Sequence, residues 1–281
     1  MLWNIVADSS CDLKALQIAE GTQRIKYETV PFVITVGGED YVDDGKIDLN
    51  RMLSGIESEK TATHTSCPSP GAWLEMFSRE GNVIAITISG QLSGSYNSAC
   101  AAAEMIRYEE PDKKIAVIDS VSAGAGLVML VRQISEWIEE GKSFEEVVLM
   151  AHEMAEKKRT IFALCSFHNL IKNGRMSPIA GFAAQKLKFW GIGIGTKNGE
   201  IRIKGKTRGA KKMLQAIVTD IRESGSPIRR VYICHCQNLQ MAQQLKEEIL
   251  AHWKNVNIEI HETRGLCSYY AERHGLIVSY L

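Results

Sequence analysis

Hydroxyls gathered beside glycines are the first feature of this sequence that could do chemistry. Ser89-Gly90-Gln91-Leu92-Ser93-Gly94-Ser95-Tyr96 follows an apolar run, Asn82 to Ile88, and precedes a stretch of small residues. A strand turning into a helix in this way leaves backbone amides free at the helix mouth, and Gly90 and Gly94 let the chain come close to a ligand. Ser93 and Ser95 add hydroxyl donors there. Thr65-Ser66-Cys67-Pro68-Ser69-Pro70-Gly71 is a segment of the same kind. Ser69 caps a helix that begins at Pro70, so Thr65 and Ser66 are either hydroxyls available to an anion or part of an ordinary helix start. Arg175 follows a helix-ending glycine in Asn173-Gly174-Arg175-Met176-Ser177-Pro178. Its guanidinium offers a fork for a carboxylate or phosphate, or else a surface ion pair.

Other patterns lead away from common chemistries. The segment around Ser93 is not Gly-x-Ser-x-Gly, so a nucleophile elbow is not supported, although a hydrolase using Ser93 stays a rival reading. It also lacks the lysine of a Walker loop. Gly191-Ile192-Gly193-Ile194-Gly195 runs into a hairpin instead of opening a helix, which a dinucleotide fingerprint requires. Cys234-His235-Cys236 sits on a strand with its thiols on one face and its imidazole on the other, so no metal site is expected. Lys204, Lys206, Arg208, Lys211 and Lys212 form a basic run without aromatics, either a solvated helix start or a patch for an acidic partner.

These segments must be held by larger elements. The chain has 281 residues, 45% of them hydrophobic, with 33 basic and 33 acidic side chains. That is enough to bury a substantial core and excludes intrinsic disorder, while zero net charge argues against nucleic-acid binding. No apolar run approaches the roughly 20 residues of a membrane helix. The N-terminus shows no signal-peptide pattern, and seven scattered cysteines suit free thiols in a reducing cytoplasm. Asn4 to Ala7, Asn82 to Ile88 and Lys114 to Asp119 read as strands, each followed by a Ser- or Gly-rich loop and a helix, the first helix expected over Leu13 to Glu20. Tyr27 to Val36 reads as one extended segment. A further helix is expected from Ser143 to Lys158, capped by Ser143. Beyond it, strands at Thr160 to Cys165, Arg229 to His235 and Val256 to Ile260 alternate with helices at Arg208 to Arg222 and Met241 to Trp253, with a hairpin at Asn198-Gly199. The expectation is α/β with two domains: residues 1–158 as an N-terminal parallel-sheet α/β layer and residues 159–281 as a C-terminal α+β domain.

Taken together, the segments resemble the DegV family of fatty-acid-binding proteins over almost the whole chain. The resemblance rests on Asp8-Ser9-Ser10-Cys11-Asp12-Leu13, the segments at Thr65 and Ser89, Asp119-Ser120 with Gly124 and Gly126, and Gly174-Arg175-Met176-Ser177. It implies a two-domain α/β protein of the EDD fold that encloses a long-chain fatty acid such as palmitate in a tunnel between its domains. It also implies a carrier without catalysis or cofactor of its own, which presents the carboxylate to a separate fatty-acid kinase. Thr65, with Ser66, and Ser93, with Gly94, would hold the carboxylate, and Arg175 would lie near it or face the kinase. Three departures stand out. Cys67 replaces a glutamine, Asn173 replaces a glycine, and the family's C-terminal His-Thr-Gly-Pro-Gly is missing from Cys267-Ser268-Tyr269-Tyr270-Ala271-Glu272-Arg273-His274-Gly275. The family histidine falls near Tyr270 or Ala271, leaving Tyr270, His274 or neither to make its contact. A lipid-sensing module that docks a partner through Lys204 to Lys212 is the other alternative.

Overall fold

Apolar runs such as Ile5-Val6-Ala7 and Val83-Ile84-Ala85-Ile86 build the central strands of a sheet that is covered on both faces. The computed structural model describes residues 2–17, 24–58, 63–177, 189–225 and 227–281. In chain order the first elements are β1 (Leu2–Asp8), β2 (Arg24–Val30), β3 (Val33–Val36), β4 (Glu39–Val42), α1 (Leu49–Ser58), β5 (His64–Ser66), α2 (Pro70–Phe77), β6 (Asn82–Thr87), α3 (Ser95–Glu109), β7 (Ile115–Asp119), α4 (Ala125–Glu139) and α5 (Phe144–Lys157). Then come β8 (Arg159–Leu164), α6 (His168–Lys172), β9 (Phe189–Gly195), β10 (Ile201–Arg208), α7 (Ala210–Glu223), β11 (Arg230–His235), α8 (Leu239–His252), β12 (Asn257–Glu262), α9 (Gly265–Ala271) and β13 (Leu276–Tyr280).

Strands β2-β1-β6-β7 form an all-parallel sheet. A separate, mixed sheet has the order β10-β9-β8-β13-β11-β12, and β4-β3-β5 make a small antiparallel one. Helix α4 is apolar almost all round, and its residues from Ala125 to Val131 are buried. It packs on β1 and β6 on one side and on β8, β11 and β13 on the other, so one core joins Ile5, Ile84 and Ile118 to Tyr232 and Cys234. Helices α2 and α3 cover the outer face of the parallel sheet, and α7 and α8 cover that of the mixed sheet.

Several expectations hold. Ser143 and Glu146 make a reciprocal capping box, and Asn198-Gly199 turns β9 into β10. Others fail for physical reasons. Residues 13–17 are irregular instead of helical, and residues 18–20 of the expected first helix lie outside the described part. The Asp12 carboxylate does not cap that segment; its Oδ1 accepts the Arg264 amide at 2.8 Å. The single extended segment over Tyr27 to Val36 is two strands in two sheets, broken at Pro31, which has no N–H to give a ladder. Helix α9 and strand β13 were not anticipated from the sequence.

Candidate functional site

Two aspartates, Asp8 buried and Asp119 half-buried, gather the loops at the carboxyl ends of the parallel strands. Asp8, at the end of β1, accepts from Ser10 Oγ at 2.5 Å, Ile88 N at 2.8 Å and Ser95 Oγ at 2.7 Å. Burial raises its pKa, and these bonds oppose the rise. Asp119, at the end of β7, accepts from Gly90 N at 3.1 Å and Val121 N at 2.8 Å. Val121 is thereby held at φ 52°, a left-handed conformation that is uncommon for a β-branched residue. Ser89 Oγ donates to Gly199 O at 2.7 Å, tying the loop to the β9–β10 turn. Gly199 has φ +84°, and a Cβ there would overlap Ser89 and press on Val121. The Ser93 hydroxyl accepts from Ser95 N at 3.3 Å, which leaves its proton free to donate.

Helix α9 is set by acids far away in sequence. Asp43 accepts from Gly265 N and Leu266 N, both at 2.9 Å, across more than 220 residues. It therefore supplies the cap that the preceding residues do not. Any side chain at Gly265 would run into the Asp43 carboxylate. Arg264 donates to Thr29 Oγ1 at 3.0 Å and to Asp43 O at 2.9 Å. Burial raises the Asp43 pKa, and the Arg264 charge opposes it. Burial also raises Asp12 to about 7. So anchored, α9 places the Tyr270 hydroxyl 3.0 Å from Thr65 Oγ1. Its neighbour Tyr269 turns the other way, with its hydroxyl 2.6 Å from Thr63 Oγ1 and accepting from Asn173 Nδ2 at 2.8 Å. The asparagine in place of a glycine thus has a partner.

The side chains so placed wall a cavity whose empty space, open solvent at its mouth included, is about 850 Å³. Phe32, Ile88, Leu92, Phe162, Leu164, Leu170, Ile201, Leu266 and Ile277 give it apolar walls, and Thr65, Ser93, Arg175 and Tyr270 bring polar groups to it. Arg175 Nε donates to Leu92 O at 3.1 Å and its Nη1 to Asn173 O at 2.6 Å, so it joins the Ser93 loop to the end of α6. Cys67 packs with Leu92 and Tyr270 around Phe32 and Leu266, and a Cβ on Gly94 would stand 3.5 Å from its Sγ. The loops carrying Thr65 and Ser93 are therefore neighbours.

Three residues singled out in the sequence lie elsewhere. Ser66 and Gly94 are exposed and do not line the cavity. His274 is also exposed, at φ 74° in the turn after α9, where its backbone bonds Cys236 O at 2.9 Å and Asn238 Nδ2 at 2.8 Å. Of the two replacements for the family histidine, only Tyr270 reaches the cavity. No histidine lines it among the described residues, so Ser93 has no imidazole beside it. His235 accepts from Asn238 N at 3.2 Å through Nδ1, a structural bond. In the basic run, Lys204 pairs with Asp220 at 2.7 Å and Glu223 at 3.0 Å. No described helix is long and apolar enough to cross a membrane. The sequence reading missed Asp43, Arg264 and Tyr269; the only local signal was Gly265, whose need for space shows only once Asp43 is beside it.

Fold and site define an α/β protein whose two main sheets and connecting loops enclose an apolar cavity with hydroxyls and one arginine among its lining groups. The chain belongs to the DegV family, whose model matches residues 2–280. A DegV domain-containing protein of Streptococcus pyogenes is 38% identical over 280 residues, covering 100% of this chain and 99% of that one. Among solved structures, a DegV family protein from Eubacterium eligens loaded with heptadecanoic acid is 36% identical, with a TM-score of 0.92 over 99% of this chain and 98% of its own. The Streptococcus pneumoniae Fatty Acid Kinase (Fak) B3 protein loaded with linoleic acid is also 36% identical, with a TM-score of 0.94 over 100% of this chain and 99% of its own.

Proposed function

We propose that this protein binds one long-chain fatty acid in the cavity, holds its carboxylate with Thr65, Ser93 and Tyr270, and presents it to a fatty-acid kinase. The observation that carries this reading is the bonded pair Thr65–Tyr270 beside the Ser93 loop in a chamber with largely apolar walls. Burying about 16 carbons at roughly 0.8 kcal/mol per methylene contributes on the order of 10 kcal/mol gross, enough to offset ordering costs. A carboxylate cannot enter such a chamber without partners, and hydroxyl donors supply them. In this reading Tyr270 takes the place of the family histidine, while Ser66, Gly94 and His274 make no contact with the ligand. The ligand lies between two domains divided at 158/159. The acids bound to the Eubacterium eligens and pneumococcal relatives support the ligand class, and the name of the pneumococcal protein supports the kinase.

Catalysis by Ser93 is disfavoured because among the described residues no histidine lines the cavity beside it, and its oxygen already accepts an amide. The test is organic extraction of freshly purified protein with mass spectrometry, paired with a titration of delipidated protein with hexadecanoic acid. A stoichiometric acyl species, or saturable binding after delipidation, is expected. Neither would count against the reading.

A further inference from the structure

Resting on the fatty-acid reading, we propose that the cavity accepts acyl chains bearing a hydroxyl group along the chain, seated by Thr160 and Ser122. Strand β8 points Thr160, Phe162 and Leu164 into the cavity at alternate positions, about 7 Å apart. Leu164 lies beside the α9 turn, where a Cβ on Gly275 would be 3.0 Å from it. Thr160 therefore lies two steps, roughly 13 Å along the strand, from the end of β8 nearest to α9 and Tyr270. An acyl chain anchored at Tyr270 would pass it well beyond its carboxyl end.

A wall meant only for methylenes would be apolar there. Instead Thr160 Oγ1 stands 2.8 Å from Ser122 Oγ and 2.8 Å from Ser279 Oγ. Ser279 is fully buried, while Thr160 and Ser122 line the cavity. On the neighbouring strand the residue beside Thr160 is Gly195, where a Cβ would be 3.6 Å from the threonine, so no side chain there covers the hydroxyl. Three hydroxyls own three protons and about six lone pairs. Two bonds within the row and a long one from Ser122 Oγ to Ala123 O, at 3.4 Å, engage the protons. Lone pairs on Thr160 and Ser122 stay free. The row suits a group that donates, so a hydroxyl fits it better than a ketone or epoxide, which only accept.

Calorimetric titration of the delipidated full chain with octadecanoic acid and with hydroxyoctadecanoic acids substituted near mid-chain tests this. At least one hydroxy isomer is expected to bind within about threefold of the plain acid. Thr160→Val, or Ser122→Ala if the first variant does not fold, is expected to weaken that isomer by about tenfold or more while leaving octadecanoic acid within a few-fold. Plain acid that binds well while every hydroxy isomer is at least about tenfold weaker overturns the inference and leaves the fatty-acid reading intact. Equal weakening of both ligand types by the variants overturns it too, since the hydroxyls would then serve only the wall. Failure of octadecanoic acid itself to bind overturns the underlying reading.

Discussion

The loops after β6 and β7 and the helix α9 face the same cavity but are held in place in opposite ways. Ser93 stands on a loop anchored in its own layer through Asp8 and Asp119, at the ends of the strands on either side of β6, with further bonds from Ser89 to Gly199 and from Arg175 to Leu92. Tyr270 stands on a seven-residue helix whose start is fixed by Asp43 and Asp12, 222 and 252 residues away in sequence. The first arrangement follows from sheet topology, because neighbouring parallel strands bring their carboxyl-end loops together whatever else the chain does. The second exists only when distant segments have already packed. The difference predicts which half of the site is fragile.

The largest effect is expected at the α9 anchor. Asp43→Ala leaves two buried amides without their acceptor and removes the carboxylate 3.8 Å from the buried Arg264 Nε, at a cost of about 3–5 kcal/mol. Asp119→Ala, in a partly exposed loop, is expected to cost about 1–2 kcal/mol. Urea unfolding of both variants checks this, and equal losses would erase the contrast between the two regions.

Next come the groups that face the ligand. Thr65→Val, Ser93→Ala and Tyr270→Phe each remove one hydrogen bond to a charged group, worth about 1.5–3 kcal/mol, so affinity for hexadecanoic acid is expected to fall roughly ten- to hundred-fold with circular dichroism unchanged. If only the Ser93 change weakens binding, α9 supports the cavity without touching the carboxylate.

A smaller effect is a pH dependence at the α9 anchor. Burial raises Asp12 from its ordinary 3.8 to about 7, and its Oδ2 has no hydrogen-bond partner. Between those values the folded chain keeps a proton that the unfolded chain has lost. Stability from this group is therefore greatest at the acid end of the window and falls as pH rises through about 7. Asp12→Asn keeps an acceptor for the Arg264 amide, so its thermal midpoint is expected to fall less across the same window. Parallel slopes for the two proteins would remove Asp12 as the titrating group.

Arg175→Ala is expected to change fatty-acid affinity least, by no more than a few-fold, because Arg175 Nε and Nη1 donate to the backbone carbonyls of Leu92 and Asn173. Acyl phosphorylation with a cognate kinase is expected to drop more. A folded variant that no longer binds fatty acid would make Arg175 a carboxylate ligand.

What the sequence disclosed follows the same division. The parallel strands, the Ser143 cap and the Asn198-Gly199 hairpin rest on interactions within a few residues or on strand periodicity, the hydroxyl loops show in their Ser and Gly content, and all were legible. Helix α9 was not: its local sequence holds no capping side chain, and its cap arrives from Asp43. The helix expected from Leu13 failed for the mirror reason, since the carboxylate of Asp12 just before it accepts the distant Arg264 amide instead of a local one. Thr65 and Ser93 could be chosen from motif chemistry and resemblance. Choosing between Tyr270 and His274 could not, because it turns on the φ 74° bend that points one away while the helix points the other inward.

The most direct test of the central claim is a crystal structure of the protein with heptadecanoic acid, the ligand carried by its Eubacterium eligens relative. The account predicts one acid in the cavity, its carboxylate within hydrogen-bond distance of Thr65, Ser93 and Tyr270 and its chain running along Phe162 toward Thr160. A carboxylate seated away from all three hydroxyls, or an acid bound outside this cavity, would contradict it.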